Sequence, residues 1–186
     1  MLAQRQADAT ITAIDIDAEA VNQAQENIQD SPWKERITAV LQDLKTYRPQ
    51  ELFDTIVCNP PYFMDSLKCP DSQRNTARHT DTLDMHTLLY QTSLLLTPEG
   101  RFSINDKAVL PAEQTNTLIE SAGRVGLYPS RHTAVITRPG LAPKRTLMEF
   151  TRQKEAFQTE ELVIELERHV YSEAYIALTK DFYLKM

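Results

Sequence analysis

The chain has 186 residues, 41% of them hydrophobic, a formal net charge of −6 at pH 7 and two cysteines. That length can bury one sizeable core and no linker divides it, so a single domain over residues 1–186 is expected. The charge excludes a broadly basic nucleic-acid coat, and no apolar run approaches the roughly 18–20 residues that span a bilayer. Nothing at the start resembles a signal peptide, and Cys58 and Cys69 lack the spacing of a disulfide framework or a metal pair, so a reducing cytoplasm is expected.

Thr10 to Asp17 reads as a short strand ending in acids, followed by helix-forming residues from Ala18 to Ile28 and a break at Pro32. Ile37 to Leu41 is a second apolar run, closed by Asp43. Leu52 to Cys58 is a third, closed by Asn59-Pro60-Pro61-Tyr62. Asp65 to Asp81 is polar and reads as a loop, Leu83 to Leu96 as a helix, and Thr97-Pro98-Glu99-Gly100 as a turn. A strand over Arg101 to Asn105, a helix over Pro111 to Ala122, strands at Val135 to Thr137 and Thr146 to Phe150, and a helical pattern from Tyr171 to Lys185 complete the chain. This alternation predicts an α/β fold: a mostly parallel sheet with helices on both faces, closed by an antiparallel edge hairpin.

Ligands of open α/β sheets collect outside the carboxyl ends of the strands. Asp15 stands at such an end and could accept from two vicinal ribose hydroxyls, while Asp17 is better placed to cap the next helix. Asp43 could accept from an adenine exocyclic amine. Either acid alone is more simply a turn or cap residue; two on successive strands point to a nucleoside-shaped cofactor.

The third strand ends in the segment that carries chemistry. Each proline removes a backbone N–H and keeps its predecessor extended, so Asn59 and Pro60 display carbonyl acceptors in a stiff frame. An amine conjugated to a heteroaromatic ring is a poor nucleophile. Accepting its two hydrogens, one on the Asn59 side-chain carbonyl and one on the Pro60 backbone carbonyl, favours a pyramidal nitrogen with an available lone pair. Tyr62 can stack on the base, and attack on a sulfonium methyl then needs positioning more than a strong base, with no metal. A base in RNA or DNA would first be flipped out of its stack.

At these residues the sequence resembles the class I S-adenosylmethionine methyltransferases of the Asn-Pro-Pro-Tyr type, which modify adenine N6, guanine N2 or a glutamine amide. It is similar more closely to the bacterial tRNA1(Val) adenine-N6 methyltransferase family. Met1 to Arg5, Ala24 to Ile28, Ser31-Pro32-Trp33, Tyr171 to Tyr175 and Ala177 to Thr179 carry that resemblance over essentially the whole chain. It implies a Rossmann-like sheet, S-adenosyl-L-methionine as cofactor, and a valine tRNA as partner, methylated at adenine 37, just 3′ of the anticodon. By motif position it implies Asp15 as the ribose acid, Asp43 as the adenine-contacting acid, and Asn59, Pro60 and Tyr62 as the target-base clamp. Arg74, Arg78 and His79 in the following loop, and Arg131 in a stretch free of acids from Val125 to Met148, are candidate RNA contacts. Against the family pattern, the first strand and glycine-rich turn are expected to be missing, since Gly100, Gly123, Gly126 and Gly140 all lie downstream. Two other readings stay open: an N-methyltransferase of rRNA guanine or protein glutamine, and a non-catalytic fragment binding RNA through Arg131 to Arg145.

Overall fold

The computed structural model describes residues 1–59, 83–106 and 112–184. They fall into two compact units, Met1–Pro49 and Gln50–Met186.

The first unit is built from α1 (Leu2–Arg5), β1 (Ile11–Asp15), α2 (Ala18–Gln29) and β2 (Ile37–Leu41). β1 and β2 run parallel, in register from Ile11 opposite Ile37 to Asp15 opposite Leu41. The crossover is the helix that a parallel pair requires. It starts at Asp17, whose Oδ1 accepts from the amides of Glu19 and Ala20 at 2.9 and 3.4 Å. Val21 and Ala39 are buried between helix and sheet, and Gln25 Nε2 donates to the Ala39 carbonyl at 3.0 Å. Arg36 ties down the start of the chain. Its Nη1 donates to the carbonyls of Gln6 and Ala9, both at 2.9 Å, and its Nη2 to that of Ala3 at 2.8 Å, so one guanidinium gathers one acceptor from α1 and two from the segment between α1 and β1.

The second unit holds β3 (Phe53–Cys58), α3 (Met85–Leu95), β4 (Leu96–Asp106), α4 (Ala112–Arg124), β5 (Tyr128–Ile136), β6 (Arg145–Thr151), β7 (Gln158–Val163), β8 (Glu165–Glu167), β9 (Val170–Tyr171) and α5 (Glu173–Thr179). The five-stranded sheet has the order β3-β4-β6-β5-β7. β3 is parallel to β4 and β7 to β5, while β6 is antiparallel to both neighbours. The α/β fold read from the sequence is therefore the one observed.

One sheet face is the core. Phe102 and Phe150 are cross-strand partners with no exposed surface, their rings stacked at 6.2 Å. Around them Ile104, Met148 and Ile136 pack with Leu88 and Leu89 of α3 and Leu118 and Ala122 of α4. Burying each large side chain contributes about 1.5–3 kcal/mol, and an aromatic pair adds roughly 0.5–1.5 kcal/mol. Gly100 sits where β3 and β4 shift register: a Cβ there would meet the Phe53 carbonyl at 3.0 Å and Leu96 Cδ2 at 2.9 Å.

Several elements differ from expectation. The turn expected at Thr97 to Gly100 is absorbed into β4, and β5 begins seven residues before Val135. The antiparallel hairpin of β5 and β6 forms, but β7 lies outside it and β6 is central. β7, β8 and β9 were not expected at all, and the last helix ends at Thr179. No helix among the described residues is long and apolar enough to cross a membrane.

Candidate functional site

In the first unit, parallel pairing places Asp15 and Asp43 at neighbouring strand ends. The amide of Gln42 donates to the Asp15 carbonyl at 2.8 Å, which continues the ladder past the last paired residues. Asp15 Oδ1 accepts from the Asp17 amide at 2.9 Å, and Asp43 Oδ1 accepts from the Lys45 amide at 2.8 Å. The bland role is thus real: each acid closes a tight turn, and Asp43 caps the 3₁₀ turn Leu44–Thr46. Each uses one oxygen for it. Among the described residues no hydrogen bond engages Oδ2 of either, so two carboxylate oxygens at adjacent strand ends remain for hydroxyl or amine donors. Ile16, 66% exposed between Asp15 and Asp17, offers apolar surface beside them. The cavity of about 650 Å³ in this unit lies along Gln25, Gln29 and Ile37, at the amino end of β2 and away from the acids.

In the second unit the ladder of β3 and β4 ends with Cys58 opposite Ile104. One step further, Asn59 faces Asn105. Asn105 Nδ2 donates to Asn59 Oδ1 at 3.4 Å, a long bond that takes one of two lone pairs and orients the carboxamide. The Oδ1 of Asn105 is buried and has no hydrogen-bond partner among the described residues. Sequence reading missed Asn105. The signal that could have found it is topological, a polar residue ending the strand that must pair with the Asn59 strand. Burial pushes the Cys58 thiol up, so this cysteine beside the site is a packing group rather than a thiolate.

Pro60, Tyr62, Arg74, Arg78 and His79 lie outside the described residues, as does Cys69. Arg131 is exposed on β5, opposite Glu149 of β6 and Gln158 of β7. That position is on the sheet face rather than at the carboxyl end, where Val135 pairs with Arg145 and Thr146 with Asp106.

The acid pair of the first unit and the asparagine of the second are each a polar strand end of the kind that holds a ligand in open α/β sheets. The fold has solved counterparts. A predicted O-methyltransferase, protein Atu636, from Agrobacterium tumefaciens matches with a TM-score of 0.71 at 17% identity, covering 96% of this chain and 81% of that one. The glycopeptide N-methyltransferase MtfA complexed with S-adenosyl-L-methionine matches at 0.55 and 13% identity, over 82% of this chain and 85% of that one. The architecture is that of the class I S-adenosylmethionine-dependent methyltransferases. The family described as "MTS: Methyltransferase small domain" matches residues 1–128. Proteins named tRNA1(Val) (adenine(37)-N6)-methyltransferase are 51% identical in Bacteroides fragilis, 50% in Phocaeicola vulgatus and 40% in Tolumonas auensis. Each alignment covers all of this chain and 77–78% of the relative. The chain belongs to the tRNA1(Val) (adenine(37)-N6)-methyltransferase family, whose cofactor is S-adenosyl-L-methionine.

Proposed function

We propose that the chain catalyses transfer of a methyl group from S-adenosyl-L-methionine to N6 of adenine 37 in a valine tRNA. The observation that carries this reading is Asn59, held at a parallel strand end with its carboxamide oriented by Asn105. The two units act as one methyltransferase domain over residues 1–186, a reading supported by a family match that runs across their boundary.

Asp15 would hold the ribose hydroxyls of the cofactor and Asp43 its adenine amine, each through the Oδ2 left over from its turn bond. The cofactor supplies an electrophilic methyl group when bound. This chain's contribution is to present the nucleophile. The second lone pair of Asn59 Oδ1 and the Pro60 carbonyl accept the two amine hydrogens, which concentrates the nitrogen lone pair on one face. Tyr62 stacks on the flipped base and fixes its plane, and the amine proton leaves after transfer. Arg74, Arg78, His79 and Arg131 contact the RNA. Such a protein works where tRNA is, in the cytoplasm.

The test incubates the chain with radiolabelled cofactor, a valine tRNA transcript and a protein extract, then digests and separates the nucleosides and amino acids. Label in N6-methyladenosine, absent when adenine 37 is replaced by guanine, is the expected result. Label in methylguanosine or methylglutamine would transfer the assignment to one of the other amine substrates.

A further inference from the structure

We infer that a cleft between the β5–β6 turn and the β8–β9 turn binds an RNA nucleotide away from the target base; this rests on the tRNA reading above and specifies where the tRNA is gripped. The cleft has a volume of about 400 Å³ and is lined by Arg138, Pro139 and Leu141 on one side and Leu166, Glu167 and Arg168 on the other.

Its position follows from the strand register. β4 reaches its carboxyl end at Asp106, opposite Thr146, and Val135 is opposite Arg145, so the turn from β5 to β6 leaves the sheet at the end that holds Asn59. β7 runs parallel to β5 and stops at Val163, opposite Ile136. The amides of Ile164 and Glu165 then donate to the carbonyls of Ile136 and Thr137 at 2.8 and 2.9 Å, which carries the β8–β9 hairpin out beside that turn. With neighbouring strands about 4.8 Å apart, the cleft lies roughly 15–20 Å from Asn59 across the sheet end, the reach of a few nucleotides.

Its chemistry suits RNA. The chain as a whole is acidic, so phosphate binding needs a local exception. In the lining the exposed Arg138 and Arg168 stand against one acid, Glu167, and the exposed Lys144 and Arg145 follow at the end of the same turn. Neither Arg138 nor Arg168 forms an ion pair with a described residue, so both guanidiniums are available for phosphate oxygens. Leu141 and Leu166, 48% and 52% exposed, flank Pro139 and give the apolar floor that a ribose or base would cover. A phosphate-binding rim around a small apolar floor is the recognition chemistry of a nucleotide within a strand.

The experiment measures binding of a valine tRNA transcript to the full chain by anisotropy between 50 and 200 mM salt. In Arg138→Ala/Arg168→Ala the affinity should fall at least tenfold at low salt, and the log–log salt slope should shrink by about 1–2, since each lost phosphate contact removes roughly 0.7–0.9. Arg138→Lys/Arg168→Lys should keep the slope. Leu166→Ser should weaken binding with the slope unchanged. Lys154→Ala, at the opposite end of the sheet over the Tyr128 ring, should change neither. Far-UV melting shows that each variant is folded. An unaltered chain that binds tRNA tightly, with a double alanine variant of the same affinity and slope, overturns this inference alone. An unaltered chain that binds no tRNA overturns the substrate reading and this inference with it.

Discussion

In the proposed reaction Asn59 serves the acceptor of the methyl group, and Asp15 and Asp43 serve its donor. Asp15 and Asp43 each commit one oxygen to a turn and present the other, so substitution tests both roles at once. Asp15→Ala and Asp43→Ala should each weaken S-adenosylmethionine binding about 10- to 100-fold, the loss of a charge-assisted hydrogen bond worth roughly 1.5–3 kcal/mol, as read by calorimetry. On the same proposal Asn105, whose Nδ2 donates to Asn59 Oδ1, acts through Asn59 as a positioning residue. Asn105→Ala should lower kcat about tenfold with KM for tRNA unchanged, and should cost nothing further in an Asn59→Ala background, because a residue that works only by orienting another is non-additive with it. Full additivity would reduce Asn105 to general packing. Asn59 was legible from sequence because the prolines beside it single it out. Asn105 was not, because its meaning depends on which strand lies next to β3.

At the scale of elements, polar contacts at the ends fix what the apolar pattern leaves open. Arg36→Lys keeps the charge but cannot fork to three carbonyls, so it should destabilise the chain by about 1–2 kcal/mol in denaturant melts. Asp84 caps α3 through bonds from the Thr87 amide and hydroxyl at 2.9 and 2.6 Å. Burial alone would raise its carboxyl; the bonds from Thr87, with the His86 amide, outweigh that and hold it below the ordinary range. A depressed carboxylate stabilises the fold above its unfolded pKa of about 3.9, and the contribution is lost as pH falls through the folded value. Asp84→Ala should therefore cost about 1 kcal/mol at pH 7, and the gap to the unaltered chain should close in melts at acid pH. His169 adopts φ 65 at the tip of the β8–β9 hairpin. His169→Gly should relieve that strain and raise stability by up to about 1 kcal/mol. The first three strands could be read because each is an apolar run closed by a polar residue. β7 could not, since Gln-Thr-Glu-Glu opens it at the sheet's edge, where neither face demands a hydrophobic pattern. Pro129, Ser130, Arg131 and His132 hid the first half of β5 in the same way.

The whole molecule joins an acidic chain to a polyanionic substrate, so its charge must be arranged rather than plentiful. The stretch from Val125 to Met148 carries no acid, and its turn lies at the same sheet end as Asn59. What sequence could not supply was this geometry. The basic stretch was visible, but the separation of Arg131, on the sheet face, from Arg138, in the cleft, comes from strand register. The division into two units was equally hidden, because no linker composition marks Pro49.

Presentation of the target amine by Asn59 is tested by single-turnover methyl transfer to a valine tRNA transcript. With cofactor and tRNA both saturating, Asn59→Ala should lower the rate about 10²- to 10³-fold, the loss typical of one preorganised polar group at a reacting centre, while the affinities for cofactor and tRNA stay within about twofold. A rate equal to that of the unaltered chain would remove Asn59 from the chemistry.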